Sequence, residues 1–146
     1  MEKTFTAASL DAREIQVFPS GSAPSMIASP ATFSGHVIVD VLVPSSVETP
    51  ASSALVSFAP AARTAWHSHP AGQMLIVTAG KGWVQRDGEE RQAIGAGDTV
   101  WIPAGVKHWH GATDINAMSH IAVTYIRDAK NADWMELVTD EEYADR

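Results

Sequence analysis

The chain has 146 residues, 45% of them apolar and 18% charged, a composition that suits one compact domain and leaves no room for a separate cofactor-binding domain. Ten Lys and Arg stand against seventeen Asp and Glu, for a net charge of −7, and without a basic stripe to meet phosphates, nucleic-acid and anionic-membrane partners are disfavoured. Cysteine is absent. That removes disulfides, Fe–S clusters, thiolate ligands and cysteine nucleophiles, so any metal must rest on His, carboxylate, amide or water.

Residues 1–11 lack an apolar run of signal-peptide length, and no later stretch approaches the ~18 apolar residues of a membrane span. A cytoplasmic protein is expected. Residues 19–32 and 44–53 are rich in Ser, Pro and Ala and read as loops. Between them, 33–43 is dense in β-branched residues and reads as a strand. From 54 to 127, short β segments follow at 54–58, 64–69, 74–78, 82–86, 90–94, 99–102, 107–112 and 119–127. Asp87-Gly88 is a favoured hairpin turn; Ala79-Gly80, the run from Gly95 to Asp98, and Pro103-Ala104-Gly105 mark further turns. The pattern is that of an all-β barrel or sandwich. A helix is expected over 131–138, with Thr139 placed to cap a last turn and Glu142 three residues beyond it.

Five of the six histidines fall between positions 67 and 120. In an extended strand residues i and i+2 share a face, so His67 and His69 project side by side and can chelate one ion. Gln73 follows across Pro70-Ala71-Gly72, a turn that can bring its amide oxygen to the same point. His108 lies on a later strand, after Pro103-Ala104-Gly105. By the same parity His110 points inward with His108, while Trp109 points outward. Burying several titratable rings without a metal or partners is costly, which favours a site over a merely hydrogen-bonded core.

The run Pro-x6-His67-x-His69-x3-Gln73-x6-Gly80 resembles the first cupin motif, and Gly97-x5-Pro103-x-Gly105-x2-His108 resembles the second. The resemblance implies an all-β cupin fold, a double-stranded β-helix or jelly-roll barrel, here with a short C-terminal helix. Residues 1–32 would form a largely irregular extension, and 33–146 the barrel with an N-terminal exchanged strand and the helix. Three departures stand out. Ala61 replaces the usual Gly of the first motif, Ala112 the frequent Asn of the second, and Gln73 the usual Glu ligand. A neutral Gln leaves a divalent ion its full double charge, which favours Lewis-acid chemistry over higher oxidation states.

Further likeness, in Thr64-Ala65-Trp66-His67, Gly72-Gln73, Gly82-Trp83, Lys107-His108-Trp109-His110-Gly111 and Asp133-Trp134-Met135-Glu136, is to the small bacterial cupins known as manganese-dependent (R)-selective hydroxynitrile lyases. It covers positions from about 33 to 143. The resemblance implies His67, His69, Gln73 and His108 as ligands of one divalent ion per chain, Mn²⁺ first, with Fe²⁺, Zn²⁺ or Ni²⁺ as substitutes according to availability. It implies a proton-transfer role for His120; His110 stands between the ligand shell and a supporting role. Parity places Ala54, Val56, Leu75, Val77 and Thr124 around the pocket. The implied activity is cleavage or formation of a small α-hydroxy nitrile, with a small-molecule substrate and a homodimer or homotetramer as the assembly. An Fe(II)-dependent dioxygenase and a non-catalytic, metal-assisted binding module are the competing readings. His36 lies outside both motifs and reads as structural or at a subunit contact. Trp66, Trp83, Trp101 and Trp109 read as packing residues.

Overall fold

The computed structural model describes residues 13–46 and 49–144. Its strands, in chain order, are β1 (Met26–Ile27), β2 (Phe33–Ser34), β3 (Val37–Val43), β4 (Ala51–Phe58), β5 (Arg63–Thr64), β6 (His67–Ser68), β7 (Gln73–Arg86), β8 (Gln92–Gly95), β9 (Thr99–Ile102), β10 (His108–Ala112), β11 (Met118–Tyr125) and β12 (Asp133–Trp134). One short helix follows, α1 (Asp140–Ala144). The strands run in the order β1-β3-β4-β11-β7-β10-β5-β2, with β6 on β10, β12 on β6, and β8 and β9 on β7. This is the expected all-β barrel. One wall is built by β3, β4, β11 and the first part of β7; the other by the second part of β7 with β10, β5 and β6.

Strand β7 belongs to both walls, pairing with β11 up to Gly80 and with β10 from Gly82 onward. Sequence reasoning places a turn at Ala79-Gly80, whereas the chain stays extended there and turns a corner. Gly80 has φ 76°, and a Cβ on it would lie 1.8 Å from the Ala117 carbonyl oxygen. The glycine therefore serves a sheet corner rather than a hairpin. The Asp87-Gly88 turn forms as expected, with the Glu89 N–H donating to the Arg86 carbonyl at 3.0 Å.

The barrel core takes its apolar side chains from inward positions of β4, β7 and β11, among them Val56, Phe58, Leu75, Val77, Met118 and Ala122. Along β11 buried residues alternate with half-buried ones, the period-2 signature of a strand with one face to the core. A second, smaller cluster lies outside the barrel, where Trp66, Trp109, Val138 and Tyr143 pack together with Ala61 and Trp83 against them.

The helix expected over 131–138 is not formed. Asp133 and Trp134 pair instead with Ser68 and His67 of β6. The Met135 N–H donates to the Trp66 carbonyl, and the Trp66 N–H to that of Glu136, both at 2.9 Å. The free backbone edge of β6 offers these residues partners, and such pairing outweighs a helical preference of a few tenths of a kcal/mol per residue. The helix begins only at Asp140. Its cap is the one read from sequence: Glu142 N–H donates to Thr139 Oγ1 at 3.1 Å, and Thr139 N–H to Glu142 Oε1 at 3.0 Å. In this chain β3 lies on its own sheet, between β1 and β4. Among the described residues, no helix is long and apolar enough to cross a membrane.

Candidate functional site

Antiparallel register brings the two motifs together. His67 on β6 is the direct cross-strand partner of His108 on β10, and their ring centroids are 4.2 Å apart. His69, just beyond β6, has its ring 4.8 Å from that of His67 and 5.3 Å from that of His108. The Gly105 N–H donates to the His69 carbonyl at 2.9 Å, so the turn of the second motif is tied to the ligand strand of the first. Gln73 opens β7 opposite Thr124 of β11, and its amide donates to the Thr124 hydroxyl at 2.8 Å. All five of these residues are buried.

The hydrogen bonds decide which atom each residue presents. His67, His69 and His108 use Nδ1 against the carbonyl oxygens of Ala65, Asn131 and Val106, each at 2.8 Å. A carbonyl only accepts, so each ring must carry its proton on Nδ1 and leave the Nε2 lone pair bare. His69 Nε2, His108 Nε2 and Gln73 Oε1 are buried with no hydrogen-bond partner. Buried acceptors without donors are costly, and a cation bound by them would satisfy them. These four residues therefore fit a divalent ion, each held by a fixed second contact.

His110 and His120 differ from that group. His110 Nε2 is also bare, and one nitrogen from each of His67, His108 and His110 lies within 4.8 Å of the others. This three-histidine grouping is a candidate metal site, and it includes a ring that sequence reasoning left between ligand shell and support. However, His110 Nδ1 meets His120 Nε2 at 2.9 Å rather than a carbonyl. Its partner can donate or accept, so its tautomer is not locked. His120 Nδ1 is buried and bare. The pair can thus share and pass a proton, which the three carbonyl-locked rings cannot do without losing their bond.

Burial is the first cause of the low basicity of these rings. It holds His67 and His110 well below the usual imidazole range, with neighbouring rings adding to the effect, and lowers His69. It brings His108 and His120 down to about 4. Neutral rings with free lone pairs are the form that binds a metal or accepts a proton.

The five expected pocket residues share the wall that carries His120. Val56 and Val77 are its cross-strand partners, and Ala54 and Leu75 flank Ala122 one pair further along. Val56, Leu75, Val77 and Thr124 are buried, and Ala54 packs against the same core. A cleft of about 710 Å³ reaches His108 between Val84, Ile94, Ile102 and Val106, residues of the barrel core or packed against it. His36 is exposed between β2 and β3 and joins none of this. Trp66 and Trp109 pack in the outer cluster, behind the ligand strands. Arg63 is buried, with hydrogen bonds to the Val138 carbonyl and an ion pair to Asp140 at 2.9 Å, and Lys107 pairs with Glu136. Sequence reasoning missed Asn131, whose contribution is a backbone carbonyl and leaves no mark in residue type. It also missed Trp134, whose ring stacks on His67 at 4.6 Å.

Known proteins show the family. The Cupin domain family model matches residues 54–124. A protein of Granulicella tundricola named (R)-mandelonitrile lyase is 51% identical over 111 residues, covering 76% of this chain and 85% of its own. The crystal structure of a cupin-like protein from Thermotoga maritima superposes with a TM-score of 0.75 at 40% identity, over 80% of this chain and 89% of that one. A predicted oxalate decarboxylase from Thermotoga maritima, at 20% identity and TM-score 0.67 over 77% of this chain and 100% of that one, shares the fold. Two motifs on one barrel, their histidines converging with bare nitrogens, and a relative identical at half of its aligned positions place this chain in the cupin family.

Proposed function

We propose that the protein is a metal-dependent lyase that cleaves or forms a small α-hydroxy nitrile. The observation that carries this reading is the division of the buried histidines into two kinds: three locked by carbonyls at Nδ1, which leaves their Nε2 unprotonated, and a pair hydrogen-bonded to each other at 2.9 Å. The 51% identity to a protein named (R)-mandelonitrile lyase supports the reaction class. His67, His69, His108 and Gln73 would hold the ion. A divalent ion on four neutral donors keeps its double charge and supplies Lewis acidity toward a substrate hydroxyl or carbonyl oxygen, Mn²⁺ being the proposed metal.

The remaining chemistry belongs to the chain itself. His110 Nε2 faces the ligand rings, so it takes a substrate proton at that atom while its Nδ1–H shifts toward His120 Nε2. The reverse transfer returns the proton to the leaving group or product. Val56, Val77, Leu75 and Ala122 flank the pair and keep water from competing for that proton. The test is mandelonitrile cleavage, followed as benzaldehyde release, by protein stripped with chelator and then reloaded with Mn²⁺. Release that returns with the metal is expected. Full metal occupancy with no cleavage above the buffer rate would overturn the lyase reading, and oxygen consumption by the Fe²⁺-loaded protein would direct it to a dioxygenase.

A further inference from the structure

The backbone partners of the three locked histidines differ in origin. His67 and His108 each bond the carbonyl two residues before them, in the residues that lead into their own strands. His69 bonds the carbonyl of Asn131, 62 residues away. Three residues beyond Asn131, Trp134 pairs in register with His67 and lays its indole against that imidazole, 4.6 Å between centroids and 28° between planes. A second aromatic ring beside it is that of Phe33, at 5.6 Å. Trp134 keeps 44% of its surface exposed, so burial alone is a poor account of its placement. One short segment thus touches both histidines of the first motif.

We propose that the segment from Asn131 to Glu136 is a strap that positions the metal ligands and sets the affinity of the site. Asn131 fixes the tautomer of His69, and Trp134 fixes the ring plane of His67. This inference rests on the metal-site part of the reading above, and not on the reaction. The chain enters the strap through a tight turn, closed by the Arg127–Lys130 bridge, with Asp128 and Ala129 at φ 52° and 61°. It leaves through the two backbone bonds to Trp66 and the ion pair of Glu136 with Lys107, next to His108 in the chain. That ion pair is largely solvated and adds little by itself. Precision at His67 and His69 therefore depends on the aromatic stack and the Asn131 carbonyl, the kind of outer contact whose loss lowers metal affinity by about 10- to 100-fold.

The experiment titrates Mn²⁺ into metal-free protein, reading free Mn²⁺ by electron paramagnetic resonance, for the parent and for Trp134→Ala, Trp134→Phe and Leu137→Ala. Leu137 directly follows that segment and is exposed. Trp134→Ala is expected to weaken binding about tenfold or more, Trp134→Phe to restore most of it, and Leu137→Ala to leave it unchanged, with the metal-free melting temperatures close together. Parent affinity in Trp134→Ala would overturn the proposal while leaving the metal site standing. A parent that binds no Mn²⁺ would overturn both. Imidazole ¹⁵N spectra of the metal-free parent give a check that needs no variant: His69 is expected as the Nδ1–H tautomer, and the Nε2–H tautomer would refute the Asn131 contact.

Discussion

The two walls of the barrel solve the same folding problem in opposite ways. On the wall of β4, β11 and early β7, apolar side chains point inward, and Val56, Phe58, Leu75, Val77 and Ala122 form the core. On the wall of β6 and β10 the inward positions carry His67, His108 and His110, and the outward position between the last two carries fully buried Trp109. A barrel strand ordinarily gains stability from its inner face. Here the ligand strands gain it from the outer one, where Trp66 and Trp109 pack with Val138 and Tyr143. The C-terminal segment covers that outer face, which frees the inner face for polar donors. Arg63 fastens the cover, its guanidinium bonded to the Val138 carbonyl and 4.6 Å above the Tyr143 ring.

This contrast can be broken from the inner face first. His67→Ala and His108→Ala each remove a locked imidazole, and neither variant is expected to keep stoichiometric metal after dialysis, as measured by elemental analysis. Full occupancy in both would mean that the ion, if any, sits elsewhere. On the outer face, Trp109→Ala is expected to cost about 3–5 kcal/mol in urea unfolding of the metal-free protein, the usual loss for a fully buried tryptophan. If the outer cluster were incidental, that loss would shrink to the scale of a surface change, within about 0.5 kcal/mol.

The inner face also carries a cost that shows in acid. A histidine whose folded pKa is lowered binds its proton in the unfolded chain first, so stability falls as pH drops from 6.5, the unfolded value, toward the folded one. For His108 and His120 that folded value is about 4. Metal-free protein is expected to lose on the order of 3 kcal/mol for each between those limits, and to lose no more from them below. Denaturation midpoints at a series of pH values measure it, and a flat profile across that window would contradict buried neutral rings. A smaller effect separates the proton pair from the ligands: His120→Ala should keep its metal yet cleave mandelonitrile ~10²-fold more slowly. His36→Ala, on an exposed residue remote from the pair, should change neither. Metal content and benzaldehyde release on the same preparations give both readings.

Much of the inner face was legible in the sequence because strand parity and turn chemistry are local. His67 and His69 converge, His110 follows His108 inward, and Asp87-Gly88 makes its hairpin turn. The outer cover was not legible. Residues 131–138 carry apolar side chains at spacings that suit a helix, and only the free edge of β6, remote in the chain, converts them to β12. The partner of His69 was equally hidden, because a carbonyl is present at every position. Gly80 suggests a turn by its conformational freedom, which it does use, but at a corner between walls.

The smallest effect expected concerns the hinge between the two faces. Ala61 has φ 68°, in the left-handed region where an L-residue carries about 1–2 kcal/mol of strain. The first cupin motif usually has glycine there, so the departure seen in the sequence is matched by a backbone conformation that glycine adopts freely. Its N–H donates to the Thr113 carbonyl at 2.8 Å, and its carbonyl accepts from Arg63, so the conformation is held from both sides. Ala61→Gly removes the strain, gives back part of it through a more flexible unfolded chain, and leaves both backbone bonds intact. A net gain of about 0.5–1 kcal/mol is expected, read as a higher urea midpoint with an unchanged slope. Loss of stability would show instead that the Ala61 methyl, which packs against the outer aromatic cluster, contributes more than its backbone strain costs.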